Sequence, residues 1–206
     1  MSEMKEQTTE EQKAEMQKPA SQKPKEQEMT FLESLWDLAK TFFTCLIIVM
    51  LFVNFVARPI HVEGRSMYPT LESGSIGFAN VFGRKFMTLE RFDIAIIHVE
   101  NPDEYIVKRI IGMPHETLEY HDDMLYINGE PVEQPFLDTD YRKSYEDQFT
   151  TDIEPITLGE DEYHCLGDNR PVSRDSRYYG PFKGSRIIAK GAFIFFPFNE
   201  FGIRSW

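Results

Sequence analysis

Ser66 stands in a short stretch whose residue types suit nucleophilic catalysis, HVEGRSMYPTL at positions 61–71. A serine hydroxyl attacks a carbonyl efficiently only when a nearby base takes its proton and donors stabilise the resulting oxyanion. Gly64 allows the backbone to approach a ligand closely, and Pro69 restricts the chain just after the serine. The Ser66 amide could therefore be held as an oxyanion donor, although ordinary turns show the same pattern.

Lys108, in the stretch EYIVKRIIGMP at positions 104–114, is the candidate base. An exposed lysine has a pKa of about 10.4 and keeps its proton at neutral pH, so a lysine base must be desolvated. The alternation of a strand places Ile106 and Ile110 on the face of Lys108 and Val107 on the other face. Such apolar neighbours would lower the lysine pKa, whereas a side chain that reaches solvent would keep it.

A third polar stretch, GDNRPVSRDSRYYGP at positions 167–181, mixes both signs of charge with hydroxyl groups. This composition suits a hydrogen-bonded loop packed beside a site, and it also suits a solvated surface turn. The stretch follows both Ser66 and Lys108 in the chain, so three separate segments are candidates for one site.

Together the three stretches resemble the type I signal peptidases, membrane-bound serine proteases that use a Ser/Lys pair. The resemblance covers residues 31–196 and is carried by SMYPTL, by KRIIG with a following proline, and by GDNR followed by S, D, S and R. It implies that Ser66 is the nucleophile and Lys108 the general base, with Ser173 orienting the lysine amine. The residues implied to support the site structurally are Asp168, Arg170, Asp175 and Arg177.

The same resemblance implies the substrate and its mode of binding. The signal peptide of an exported preprotein would add as an extended strand against residues 60–64 and 105–108, with small P1 and P3 side chains in apolar pockets. The oxyanion would sit on the Ser66 amide, with Gly64 beside it; glycine offers no hydroxyl, so a second side-chain donor must come from elsewhere. The expected pocket lining is Ile60, Val62, Met67 and Val107.

Three positions depart from the usual pattern of this family. Phe92, in the sequence RFD, stands where the family usually has a glycine before the aspartate. The sequence MPHE replaces the usual glycine and aspartate after the proline, which places His115 and Glu116 there. Gly64 occupies a place where some members carry a hydroxyl. None of these departures removes a reacting group.

The N-terminal part predicts a membrane anchor that is preceded by a disordered tail. Residues 1–29 contain no Val, Ile, Leu or aromatic residue, and such a segment cannot bury enough apolar surface to offset its ordering entropy. Thr30 and Glu33 have capping-box spacing, so a helix is expected over residues 30–57. The uncharged run 41–57 is just long enough to span a membrane, and a cleaved signal would instead have a basic leader and small final residues.

The orientation of the chain across the membrane and its location in the cell follow mainly from the resemblance. Lysines before the span and arginines after it only mildly favour an inside N-terminus. The resemblance implies a cytoplasmic tail at 1–29, an anchor in the cell membrane at 30–57 and an extracytoplasmic catalytic domain at 58–206. The expected partners are the signal peptides of secreted preproteins, membrane lipid and, indirectly, the protein export machinery.

Beyond residue 57 the sequence predicts an all-β domain, so the expected fold class is mainly β with one N-terminal transmembrane helix. Short apolar runs separated by Gly, Pro, Asn and Asp indicate strands, with a hairpin turn at Asn128 and Gly129. Residues 130–162 are acidic and turn-rich, and a peripheral insertion is expected there. The strand candidates are 74–80, 92–99, 104–111, 117–120, 124–128 and 186–196.

Composition and spacing disfavour several other functions. The net charge of −12 argues against a nucleic-acid partner, because binding a phosphate backbone needs clustered Lys and Arg. The five histidines show no zinc-site spacing, and no metal or other cofactor is expected. Cys45 and Cys165 are too few for a disulfide framework, and Cys165 is expected to be a buried thiol and not a nucleophile.

Three alternative functions stay open at this point. A histidine could take the place of Lys108 in a Ser/His/Asp triad with Ser66. The chain could be another Ser/Lys protease, such as a self-cleaving repressor, but it has a membrane anchor and no DNA-reading helical domain before the serine. It could also be a membrane-tethered binding module whose Ser/Lys pair is vestigial.

Overall fold

The computed structural model describes residues 31–100, 103–137 and 139–204, and strands predominate in them after the first helix. The helices are α1 (Phe31–Phe55), α2 (Val81–Phe86), α3 (Asp140–Lys143) and α4 (Ser176–Tyr179). The strands are β1 (Ala57–His61), β2 (Ile76–Asn80), β3 (Ile94–Glu100), β4 (Asp103–Gly112), β5 (Thr117–His121), β6 (Met124–Ile127), β7 (Glu130–Val132), β8 (Ile153–Thr157), β9 (Glu162–Leu166), β10 (Phe182–Lys183), β11 (Ile187–Lys190), β12 (Ala192–Phe196) and β13 (Gly202–Arg204). The mainly β class predicted from the sequence is confirmed.

The first helix, α1, is long and apolar enough to cross a membrane. Its 25 residues contain no buried side chain. At about 1.5 Å per residue, a helix of this length extends across the ~30 Å apolar core of a bilayer. The helix begins at Phe31, the first described residue, and the predicted tail 1–29 and capping residue Thr30 lie outside the described residues.

The end of α1 differs from the expected end at residue 57. The helix stops at Phe55, and Ala57 already begins β1. Pro59 disfavours helical backbone in the residue before it. The carbonyl oxygen of Val56 accepts a hydrogen bond from Val81 N over 3.0 Å, so it is bonded to the start of α2. Proline and this contact together explain the earlier end.

The β structure consists of three antiparallel sheets among the described residues. Their strand orders are β1-β2-β12-β13, β10-β9-β4-β3-β11 and β7-β6-β5-β8. β3, inside the second sheet, is buried on both faces. Ala95 and Ile97 pack within the core of the second sheet, and Ile94 and Ile96 contact residues of the first sheet. A strand covered on both sides reads as a continuous apolar run, which is the pattern of β3.

The predicted strand 186–196 is two strands that belong to different sheets. Gly191 separates β11 from β12 and has a φ of 73°, a conformation that glycine adopts without a Cβ penalty. Its N–H donates to Ile94 O over 2.7 Å. The chain therefore passes from the second sheet to the first at Gly191, close to β3.

The segment 130–162, for which a peripheral insertion was expected, contributes to the third sheet. Its strands β7 and β8 form the two edges of the third sheet, beside β6 and β5. Phe149 and Ile153 are buried, and Thr150 accepts a hydrogen bond from Arg170 over 3.2 Å. The acidic, turn-rich segment therefore contains two short strands that complete the edges of a sheet.

Candidate active site

Ser66 lies in a turn after β1 that is held from two sides. Its carbonyl oxygen accepts from Asn169 N over 3.0 Å, and Asn169 Nδ2 donates to Arg65 O over 3.0 Å. On the other side, Met67 and Leu71 are buried in the core, and Leu71 N donates to Met67 O over 3.0 Å. The backbone that carries the serine is therefore fixed by both a polar loop and the core.

Lys108 lies on β4 with its amine at Ser66. Its Nζ donates to Ser66 Oγ over 2.9 Å and to Val107 O over 2.8 Å. The residue is only 3% exposed, and this burial lowers the pKa of the amine to about 8, although the charges of Asp175 and Glu104 act in the opposite direction. An amine with such a pKa is neutral in a substantial fraction of molecules near pH 8 and can accept a proton.

The amides near Ser66 differ in their availability as oxyanion donors. The Gly64 N–H donates to Ser73 Oγ over 3.2 Å, so this amide is already engaged. The Ser66 N–H makes no hydrogen bond to any residue that the structure describes. Gly64, which was expected beside the oxyanion, thus has an engaged amide, and its φ of 85° shapes the loop.

Ser173 lies beside the site, but the expected hydrogen bond to Lys108 is not formed. Its Oγ is buried without a hydrogen-bond partner in the described part of the chain. A Cβ placed on Gly167 would lie 2.2 Å from Ser173 Oγ and 2.4 Å from Ser66 O. Glycine at 167 thus permits the close approach of the two serine-bearing segments. Sequence reasoning had not singled out Gly167, although it opens the GDNR motif.

Asp175 and Arg177 are paired behind Ser173, with Arg177 Nη2 at 2.8 Å from Asp175 Oδ2. The same carboxylate oxygen accepts from Gly167 N over 3.0 Å. Burial alone would raise the pKa of the Asp175 carboxyl, but the hydrogen bonds and charge of Arg177, together with the Gly167 amide, hold it below its ordinary value. Asp175 therefore stays charged and fixes the loop from residue 167 to residue 177.

Asp168 connects the segment of Ser66 with the strand of Lys108. Arg109 Nε and Nη2 donate to its two carboxylate oxygens over 2.8 Å and 2.6 Å, and Thr70 Oγ1 donates over 2.6 Å. Arg109 is the neighbour of Lys108, and Thr70 belongs to the turn of Ser66. Sequence reasoning named Asp168 but missed these two partners, which stand inside the KRIIG and SMYPTL motifs.

Arg170 joins the polar loop to the third sheet. Its guanidinium donates to Gly167 O over 3.0 Å, to Tyr120 OH over 2.7 Å and to Gln134 Oε1 over 2.9 Å. The residue is 1% exposed. Arg170 therefore connects the loop after β9 with the third sheet.

A cleft with a cavity of about 270 Å³ opens beside Ser66 and Lys108. Val62, Met67 and Val107, three of the expected lining residues, lie in its wall. The cleft is therefore apolar on one side and carries the two candidate reacting groups at its base.

Ile60, the fourth expected lining residue, lies outside this cavity. It packs against the core clusters of the first sheet and lines a neighbouring cavity of about 240 Å³. Both cavities share His61 and Tyr105. They are therefore consecutive parts of one groove, and Ile60 belongs to the part further from Ser66.

Two unpaired strand edges border the groove. β1 is the outer strand of the first sheet and pairs with β2. In β4, residues 103–109 pair with β3, whereas pairing with β9 begins only at Arg109. The stretch 104–108 thus has no strand on its second side among the described residues. The free N–H and C=O groups of such edges can bind an added strand.

Cys165 and His164, adjacent on β9, do not form an alternative reacting pair. Cys165 is fully buried, and burial raises the pKa of its thiol, so it stays protonated as expected. Both ring nitrogens of His164 are buried without a hydrogen-bond partner among the described residues, and burial lowers its pKa to about 4. The side chain that hydrogen-bonds to Ser66 Oγ in the described chain is Lys108 and not a histidine.

One group of possible metal ligands occurs among the described residues. His121, Asp122 and Asp152 are exposed at one end of the third sheet, with ligand atoms within 4.8 Å of one another. Asp152 Oδ1 already accepts a hydrogen bond from Asp122 N over 3.1 Å. The group shares no residue with the site around Ser66.

A buried lysine beside a serine hydroxyl, in a groove between two free strand edges, has the layout of a peptide-cleaving enzyme. The family described as "Signal peptidase, peptidase S26" matches residues 35–196. The chain belongs to this family, and it is a serine endopeptidase, a hydrolase.

Several curated relatives are similar over most of the chain. "Signal peptidase I S" of Bacillus subtilis (strain 168) is 36% identical over 172 residues, 82% of this chain and 92% of the relative. "Signal peptidase I" of Bacillus amyloliquefaciens is 38% identical over 80% of this chain and 89% of the relative. A crystal structure of a signal peptidase I from Enterococcus faecalis V583 is 37% identical, with a TM-score of 0.47, and covers 50% of this chain and 96% of that chain.

Proposed function

We propose that this chain removes N-terminal signal peptides from exported preproteins, with Ser66 as nucleophile and Lys108 as general base. The observation that carries the proposal is the buried Lys108 amine, 2.9 Å from Ser66 Oγ and with its pKa lowered to about 8. The substrate class comes from the relatives, which bear the name signal peptidase I.

In the acylation step, neutral Lys108 takes the proton of Ser66 as Oγ attacks the scissile carbonyl. The new Oγ–C bond opens the carbonyl double bond, and its electron pair moves to the oxygen. The unengaged Ser66 N–H is the donor that stabilises this oxyanion. When the carbonyl re-forms, the C–N bond breaks, and the leaving amine takes the proton from the Lys108 ammonium.

In the deacylation step, the regenerated neutral amine of Lys108 removes a proton from water. The water oxygen attacks the ester formed by Ser66, and a second oxyanion forms at the same amide. The C–Oγ bond then breaks, and Ser66 recovers its proton from Lys108. The signal peptide leaves with a new carboxyl terminus.

Ser173 is proposed to orient the Lys108 amine when substrate is bound. Its Oγ is buried without a partner, and Gly167 permits it to lie close to the Ser66 segment. A hydroxyl in this position can rotate towards the amine. It could then accept a hydrogen bond from Lys108 after the lysine has taken the proton of Ser66 and the Lys108–Ser66 hydrogen bond is broken. Ser173 would then act through Lys108 and not on the substrate.

Substrate is proposed to bind as an added strand between residues 60–64 and residues 105–108. Its backbone would use the free edges, which explains how one groove accepts many different preproteins. Alternate side chains of an extended peptide point to the same face, so P1 and P3 would enter the apolar wall formed by Val62, Met67 and Val107. A wall this close to Ser66 favours small residues at P1 by excluding larger ones.

The chain is further proposed to be anchored in the cell membrane by α1, with residues 1–29 cytoplasmic and 58–206 outside. The length and apolar composition of α1 support a span. A preprotein delivered by the export machinery emerges on the outer side, where Ser66 must meet it. Protease added to spheroplasts should then digest 58–206. Digestion confined to the N-terminal tail would contradict this orientation.

Cleavage of a purified preprotein by the purified full-length chain in detergent tests the proposed function. The wild type should release the signal peptide, and Ser66→Ala should reduce cleavage to background. Ser144→Ala is the matched control, because Ser144 is an exposed serine that donates to Tyr141 O, away from the groove. Cleavage by Ser66→Ala at the wild-type rate would reject Ser66 as nucleophile.

A further inference from the structure

Glu200 is a buried carboxylate in a C-terminal segment whose aromatic residues are exposed. It ends the short 3-10 turn Phe198–Glu200 and is 6% exposed, whereas Phe198 and Phe201 are 82% and 62% exposed. The charged side chain is thus buried and its aromatic neighbours are exposed. This is the reverse of the usual preference, by which aromatic side chains are buried and charged ones are exposed. A buried carboxylate is tolerated when its oxygens are well bonded, so the partners of Glu200 define its role.

Both carboxylate oxygens of Glu200 bind the segment 72–75, which follows the turn that carries Ser66. Oε1 accepts from Glu72 N over 3.0 Å, and Oε2 accepts from Ser75 Oγ over 2.5 Å. Ser75 is itself fully buried. Within the described residues Glu200 forms no ion pair, so it acts as a two-point acceptor for a backbone amide and a hydroxyl.

The bonded turn is continuous with the wall of the groove. Val62 N donates to Ser75 O, and Gly74 N donates to Val62 O, each over 2.8 Å. Val62 lines the cleft beside Ser66. A displacement of residues 72–75 would therefore move the end of the nucleophile turn and the apolar wall together.

The same C-terminal segment contacts this turn at a second point. Arg204 Nε donates to Thr70 O over 3.3 Å, and Thr70 Oγ1 is bonded to Asp168. Both Glu200 and Arg204 lie beyond residue 196, where the match to the family ends. The segment thus adds contacts to the Ser66 turn that the matched part of the chain does not contain.

We propose that Glu200 is a positioning residue for the reaction, which holds the Ser66 turn and the Val62 wall at the separation needed for attack. This inference rests on the proposed function. Attack requires the nucleophile within a narrow range of distance and angle, so a small shift lowers the rate strongly. The loss of Glu200 should affect kcat more than KM, because the rate of attack depends more steeply on the position of the nucleophile than substrate binding does.

The variant Glu200→Gln tests this role. Glutamine keeps the shape of the side chain, and its oxygen can still accept from the Glu72 N–H. Its NH2 group then faces Ser75 Oγ, so the hydroxyl must turn to accept and the charged acceptor of its proton is lost. We expect kcat to fall on the order of tenfold to a hundredfold, with a smaller change in KM. The matched control is Glu162→Gln, because Glu162 also accepts a backbone N–H, from Gly159 over 2.9 Å, but lies outside the site.

A second variant separates positioning from general stability. Ser75→Ala removes the hydroxyl donor, and the double variant should lose no more kcat than the stronger single variant, because both break the same connection. Additive losses would overturn the proposal. So would a loss of kcat in Glu200→Gln that disappears at a lower temperature, at which circular dichroism shows the variant to be fully folded.

Hydrogen exchange gives a readout that needs no substrate. The amides of Val62, Glu72 and Gly74 should exchange faster in Glu200→Gln than in the wild type, and those of the third sheet should not change. Unchanged exchange, or faster exchange with a wild-type kcat, would overturn the positioning role. A wild type that fails to cleave any preprotein would reject the proposed function separately, and the exchange data would still show whether Glu200 holds the turn.

Discussion

Arg109 and Asp168 form a buried ion pair directly behind the candidate base, with two hydrogen bonds of 2.8 Å and 2.6 Å. Arg109 does not line the groove and contacts no proposed substrate position, but it is the neighbour of Lys108 on β4. The pair fixes the strand from behind, while Thr70 attaches the Ser66 turn to the same carboxylate. The separation between the two candidate reacting groups thus depends on a charge pair that lies behind them.

Asp168→Asn should destabilise the β domain by about 3 kcal/mol, because it leaves the Arg109 guanidinium buried without its counter-charge. The measurement is urea denaturation of the full chain in detergent, monitored by circular dichroism. Asp147→Asn is the control, since Asp147 is exposed, and it should stay within about 0.5 kcal/mol of the wild type. Equal stability of the two variants would contradict a structural role for the pair.

Lys108→Arg should abolish cleavage while substrate binding persists, because a guanidinium keeps its proton at any working pH. In the wild type, kcat/KM should rise with pH along an acid limb whose midpoint lies near the lowered pKa of about 8, as the ammonium loses its proton. Substantial activity of Lys108→Arg would show that charge alone suffices. A midpoint near the pKa of an exposed lysine, about 10.4, would contradict the effect of burial.

His164 should make the folded state sensitive to acid. Burial lowers its pKa from 6.5 to about 4, so between these values the unfolded chain binds a proton that the folded chain does not. The contribution of neutral His164 to the free energy of unfolding is then fully present above pH 6.5, and it decreases by about 3 kcal/mol as the pH falls towards 4. His164→Leu removes this titration, and its unfolding free energy should vary less across the window. Parallel pH curves for the two proteins would exclude His164 as the cause.

His115→Gly should stabilise the chain by about 0.5–1 kcal/mol. His115 is exposed and has a φ of 67°, a left-handed conformation in which a Cβ is unfavourable. His115→Ala is the control, because it removes the imidazole but keeps the Cβ, and it should show no gain. Thermal unfolding of both variants distinguishes the two effects, and equal melting temperatures would mean that backbone strain at 115 is negligible.

Two of the departures from the family pattern lie at positions with an unusual backbone conformation. Both Phe92 and His115 stand where the family usually has glycine, and both have positive φ, 74° and 67°. Phe92 also packs on Phe136, with ring centroids 5.1 Å apart. The aromatic side chain therefore makes a packing contact that glycine could not make, whereas glycine would adopt the positive φ without a Cβ penalty. A left-handed residue was thus predictable at each position from the family glycine, although neither residue type indicates it.

Local pattern predicted the burial of Lys108, because Ile106 and Ile110 alternate with it along one strand. It also predicted the hairpin turn at Asn128 and Gly129, whose φ values are 53° and 82°. These features depend on neighbours in the sequence. Alternation and turn chemistry were therefore sufficient for them.

Contacts between distant segments were not predictable from one sequence. The bond between Glu200 and Ser75 joins residues separated by 125 positions, and no periodicity links them. The engagement of the Gly64 amide by Ser73 depends on the path of a loop and not on a motif. Strand β7 contains Pro131, which argues against a strand unless it lies at a sheet edge, as it does here.

The free strand edges along the groove have a further consequence for the behaviour of the protein in solution. An edge that can pair with a peptide backbone can also pair with the edge of another copy, and such pairing leads to aggregation. Glu63 and Glu104 both line the cleft, and the whole chain carries a net charge of −12. Two copies that approach through their grooves therefore bring like charges together, and this repulsion opposes self-association while a neutral peptide can still enter.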